Sequence, residues 1–77
     1  MMKEKIISII KGIKNGVELS DDTHLIFDGV LSSMEIVQLI MALEQSFGVK
    51  ISVDEIMPEN FDTVDAIQGM LEKLSKK

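Results

Sequence analysis

Apolar residues recur at helical spacing along most of the chain. In the first segment Ile6, Ile9, Ile10 and Ile13 follow one another at three- and four-residue steps, which places them on one face of a helix over about residues 3 to 15. Lys14 and Gly16 then supply a cationic last turn and a glycine stop. A second pattern, Ile36, Leu39, Ile40, Leu43 and Phe47, predicts a helix over 33–47 that ends at Gly48. Its outward face carries Glu35, Gln38, Glu44 and Gln45, with Val37 and Met41 at the margin. Residues 52–57 read as a short helix, in which Ser52 and Glu55 match a capping box and Pro58 ends the segment. Asp62 or Thr63 caps a last helix that buries Val64, Ile67, Met70, Leu71 and Leu74 and runs into a lysine tail. Gly69 inside that helix suggests close packing, since glycine there otherwise costs up to ~1 kcal/mol relative to alanine.

Residues 17–31 mix turn formers with isolated apolar residues and lack a sustained period. They predict a long ordered loop pinned by Leu25, Ile26, Phe27 and Leu31, and loops of this length often carry function. No strand pattern and no internal repeat interrupts the helices. The expected fold is all-α, an antiparallel bundle of three longer helices plus one short one, with residues 1–77 as a single domain.

At 77 residues such a bundle has little room for a deep active-site pocket. Without cysteine, neither a disulfide nor a thiolate metal site can support it. Its first residues interleave lysine with isoleucine, so they read neither as a signal peptide nor as a membrane span, and a cytoplasmic location fits. The net charge of −5 is unevenly spread: between Glu18 and Asp65 Lys50 is the single cation, while the other lysines lie at the two ends. An acidic middle repels phosphate backbones and anionic lipid, which argues against nucleic acid and membrane partners and for a basic protein partner.

Two adjacent serines open the second helix. Ser32, with Glu35 three residues on, is a good N-cap worth ~1 kcal/mol. Ser33 falls at the first helical position, where its hydroxyl is not needed for capping. A phosphodiester there would sit beside free backbone amides at the positive end of the helix dipole. Other chemistry is poorly supported. His24 stands near Asp21, Asp22 and Asp28, but one histidine is too few for a zinc site, and these aspartates do not follow calcium-loop spacing. Ser33 has no histidine or cysteine partner patterned to activate it, and no glycine loop cradles phosphate, so an enzyme is not expected.

Residues 28–67, "DGVLSSMEIVQLIMALEQSFGVKISVDEIMPENFDTVDAI", resemble the acyl and peptidyl carrier proteins. That family carries a serine at the start of its second helix in a DSL or DSM motif. An apolar and acidic helix, an FG-like pair, a short helix and a Phe-x-Thr-Val step follow. The corresponding pieces here are Ser33 with Met34, Glu35 to Phe47 with Gly48, Ser52 to Met57, and Phe61 with Thr63 and Val64. The resemblance implies that Ser33 is esterified by 4′-phosphopantetheine derived from coenzyme A. The arm's thiol would carry an acyl or aminoacyl group as a thioester, so the absent cysteine is not missed. It also implies the partners: a phosphopantetheinyl transferase, and loading and acyl-transfer enzymes with basic docking patches. They would meet a monomeric carrier at Ser32, Met34, Glu35, Val37, Met41 and Glu44.

Two departures qualify the resemblance. Ser32 stands where the family usually has aspartate; either residue caps a helix, but the negative charge that helps a transferase recognise its substrate is lost. Gln38 and Gln45 occupy outward positions where fatty-acid carriers often have glutamate. The approach "GVLSSM" is also closer to the "GLLDSM" of D-alanyl, aminoacyl and specialised-pathway carriers than to the "GADSL" of fatty-acid carriers. A stand-alone carrier of an amino-acid-handling or specialised pathway is therefore expected. A second reading stays open beside it: a small helical interaction domain, related to carriers but without the arm, because Ser32 replaces the aspartate.

Overall fold

A computed structural model describes residues 2–20 and 23–75. Asp21, Asp22 and the terminal lysines 76 and 77, which belonged to the expected acidic loop and cationic tail, lie outside the described residues. Among the described residues four α-helices follow in order: α1 (Met2–Ile13), α2 (Ser33–Phe47), α3 (Pro58–Phe61) and α4 (Val64–Ser75). No strand forms among the described residues. Helix α1 packs on α2 and on α4, and α3 packs on α4. Among the described residues no helix is long and apolar enough to cross a membrane.

The helical periods converge on one core. Ile6 and Ile10 of α1, Leu39 and Leu43 of α2, and Ile67 and Leu71 of α4 are fully buried. Each such side chain contributes about 1.5–3 kcal/mol relative to its exposed state. Phe61 of α3 and Leu25 and Leu31 of the long loop join the same cluster, and Ile36, Ile40, Phe47 and Leu74 pack half-buried at its edge. Phe27, expected to pin the loop, is instead 66% exposed. The chain turns at Gly29, with φ of 70°, and Leu31 N donates back to Leu25 O, so Leu25 and Leu31 are buried while Ile26 and Val30 pack half-buried against the same core.

Helix α2 has the predicted bounds, and its last turn contains no basic residue of its own. The cation comes from α1: Lys5 Nζ donates to Ser46 O at 3.0 Å and lies 5.0 Å from the centre of the Phe47 ring. Gly48 closes the helix in the left-handed region, at φ of 64°, with its amide on Glu44 O.

The short helix is not where the pattern placed it. Residues Val53–Glu55 make a single 3₁₀ turn, in which Ser52 O rather than Ser52 Oγ accepts from Glu55 N, so no capping box forms there. Glu55 pairs with Lys73 instead, at 3.5 Å. Pro58 begins α3 rather than ending a helix. Lacking an N–H it cannot continue one, but the first turn needs no donor, and the preceding Met57 is extended as the ring requires. Thr63 caps α4, its Oγ1 accepting from Ala66 N at 3.0 Å, and Asp62 serves elsewhere. Gly69 is exposed, and a Cβ there would meet nothing within 4 Å, so the expected close packing is absent.

Candidate functional site

The start of α2 is built by its own sequence. Ser32 is extended, with φ of −77° and ψ of 169°, and its Oγ accepts from Glu35 N at 3.2 Å. Glu35 returns the bond, its Oε1 accepting from Ser32 N at 2.8 Å. The capping box predicted for Ser32 and Glu35 is therefore complete. The bond from the Ser32 backbone lowers the Glu35 pKa most; slight burial opposes it, and the Ser32 hydroxyl and the Lys14 charge assist.

Two contacts hold the approach to this helix. Asp62, buried at the junction of α3 and α4, accepts from Ile26 N at 3.1 Å and Phe27 N at 3.0 Å through Oδ1. Its Oδ2 bonds His24 Nδ1, and its backbone carbonyl accepts from Leu25 N. Burial pushes the Asp62 pKa up, but the bonds from His24, Phe27 and Ile26 outweigh it and the net shift is downward. Lys14, just past α1, donates to Val30 O at 2.6 Å and lies 3.8 Å from Glu35 Oε1.

Ser33 is exposed, and its hydroxyl makes no hydrogen bond among the described residues. The amides of Ser33 and Met34 have no carbonyl one turn back to meet. An unpartnered hydroxyl beside two free amides, at the positive end of a 15-residue helix, suits a phosphodiester. The residues present thus fit attachment of a phosphate-linked arm.

The rest of the expected contact face is divided. Met34, Val37 and Met41 share one side of α2 and are 70%, 51% and 56% exposed. Glu35 is engaged in the capping box. Glu44, expected to face outward, is half-buried, and its Oε2 accepts from Ile51 N at 2.9 Å. The bond pulls the side chain back over the loop that leaves α2. Sequence reasoning missed Val53, Ile56 and Met57, which are exposed although apolar. A segment too short to form an amphipathic helix has no second face on which to bury them, and that brevity was the available signal. His24 lies beside Asp62, and among the described residues no group of three or more His, Cys, Asp or Glu gathers that could hold a metal ion.

Residues 4–71 match the protein family described as "Phosphopantetheine attachment site". The chain belongs to that family. Aminoacyl carrier protein 1 of Bradyrhizobium diazoefficiens is 33% identical to it over 73 residues, covering 91% of this chain and 81% of the relative. The D-alanyl carrier protein of Lactobacillus acidophilus is 29% identical, covering 97% and 96%. The structure is similar to a chain in the crystal structure of Bradyrhizobium japonicum glycine:[carrier protein] ligase complexed with glycylated carrier protein. There the TM-score is 0.82 at 26% identity, over 90% of this chain and 96% of that one. The protein is a carrier that bears covalently bound 4′-phosphopantetheine and presents acyl groups to partner enzymes.

Proposed function

We propose that Ser33 is the attachment residue and that the cargo is an aminoacyl group. The observation that carries the assignment is the exposed, unpartnered Ser33 hydroxyl beside the free first-turn amides, with neighbouring Ser32 spent on the cap. The arm supplies a thiol on which the cargo is held as a thioester; the chain supplies a place, a charge environment and a docking face. Residues 1–77 act as one carrier domain, monomeric and cytoplasmic, with no catalysis of their own. A phosphopantetheinyl transferase installs the arm, a loading ligase charges it and an acyl-transfer enzyme unloads it; neither nucleic acid nor membrane is a partner. The docking face is Ser32, Met34, Glu35, Val37, Met41 and Glu44, apolar contact flanked by carboxylates. The named relatives, an aminoacyl and a D-alanyl carrier, support the choice of cargo.

Charging tests the cargo. The arm-bearing protein is offered, in parallel, to amino-acid:carrier ligases with glycine or D-alanine and to an acyl ligase with a fatty acid, and its intact mass is followed. An amino-acid adduct that hydroxylamine removes is the expected product. Charging by the fatty acid alone would contradict the aminoacyl reading and leave the carrier function standing.

A further inference from the structure

We propose that Lys14 is a positioning residue for Ser33: its ammonium ties a backbone carbonyl before the serine and a carboxylate after it to the end of α1. The inference rests on the assignment of Ser33 as the attachment residue.

Lys14 N completes the last bond of α1, to Ile10 O at 2.9 Å, so the residue's backbone is anchored. Its side chain then crosses to the other end of the loop. The donation to Val30 O, at 2.6 Å and partly buried, engages a residue three positions before Ser33. The approach to Glu35 Oε1, at 3.8 Å, engages one two positions after it. That same carboxylate oxygen accepts from Ser32 N. A continuous series therefore encloses the serine: Val30 carbonyl, Lys14 ammonium, Glu35 carboxylate, Ser32 amide.

The two contacts are unequal. A half-exposed ion pair at that separation contributes little, whereas a charge-assisted bond to a partly buried carbonyl is strong, so Val30 is the anchor and Glu35 the secondary hold. Stabilising the end of α1 does not account for the reach, because Lys11 already places a cation in the last turn of that helix. Asp62 fixes residues 24–27, and Lys14 fixes the stretch between that clamp and α2. Without the ammonium, the residues around Ser33 sample more conformers, and fewer molecules present the hydroxyl where a transferase can take it. A smaller competent fraction raises the apparent KM in inverse proportion and leaves the chemical step unchanged.

Lys14→Met keeps the apolar stem and removes the ammonium, while Lys14→Arg keeps a long cationic donor. Priming by a broad-specificity phosphopantetheinyl transferase with coenzyme A is measured as kcat and KM. Amide hydrogen exchange is followed at Ser32 and Glu35, the reporters of the capping box, and at core positions such as Leu43. For Lys14→Met the expected result is a KM raised roughly fivefold or more, with kcat little changed. Exchange should quicken at Ser32 and Glu35 and hold at the core, and Lys14→Arg should recover both. Wild-type KM and wild-type exchange in Lys14→Met would overturn the inference alone. Faster exchange throughout would overturn it in favour of a general stabilising role. A wild-type chain that is not primed at Ser33 would remove the attachment assignment, and the inference with it.

Discussion

Asp62 is the one charged side chain in the core among the described residues, and its bonds link the loop before α2 to the step into α4. Its folded pKa lies below the unfolded value of about 3.9. The stabilisation it gives is thus fully present above that value and is lost as pH falls through the lower, folded one. Asp62→Asn should lower the unfolding free energy at neutral pH by about 1–3 kcal/mol. It should also flatten the acid limb of the stability profile below about pH 4. Urea titrations from pH 2 to 7 check this; parallel acid limbs in the two proteins would assign the linkage elsewhere, Glu35 being the other carboxylate with a lowered pKa among the described residues. Ser32→Asp keeps an acceptor for Glu35 N while adding the charge usual in carriers. It should speed priming at low ionic strength and leave the melting temperature nearly unchanged. Equal priming rates would deny the charge a role. The Ser32 and Glu35 bonds were readable because partners three residues apart are written side by side. The Asp62 bonds span 35 to 38 residues, and no local pattern announces them. Glu44 was misread for a related reason: its partner, Ile51, lies beyond the helix whose face was being counted.

Helix α2 matched its predicted bounds because cap, period and glycine stop agree there over fifteen residues. Residues 52–61 did not, since a capping-box match without a sustained apolar period leaves the backbone free to make one 3₁₀ turn and restart at Pro58. The exposed Gly69 offers a direct check on packing in α4. Gly69→Ala should raise the unfolding free energy by about 0.5–1 kcal/mol, because the new methyl meets nothing and the unfolded chain loses freedom. A lower stability would mean that a close neighbour occupies that face. On α2 the apolar and charged positions should fail differently. Val37→Ala or Met41→Ala, both exposed, should speed dissociation from a loading ligase with little change in melting temperature. Glu44→Lys removes the acceptor for Ile51 N and should cost about 1–3 kcal/mol of stability, beyond any effect on association. Binding kinetics and melting curves on the same variants separate the two. Normal kinetics in both apolar variants would remove this side of α2 from the docking face.

For the molecule as a whole, burial of the three long helices on one core leaves the N-terminal end of α2 as a rigid platform, and the loop before it is tied down at Asp62 and Lys14. A carrier needs little more of its protein: the reactive sulfur arrives with the arm, and the chain must hold one hydroxyl in the open. That hydroxyl is assigned to Ser33 rather than Ser32. Wild type, Ser32→Ala and Ser33→Ala are each incubated with coenzyme A and a broad-specificity phosphopantetheinyl transferase, and their intact masses are compared. One phosphopantetheinyl group is expected on wild type and on Ser32→Ala and none on Ser33→Ala. An arm on Ser33→Ala, or a wild-type chain left unmodified by several transferases, would contradict the assignment.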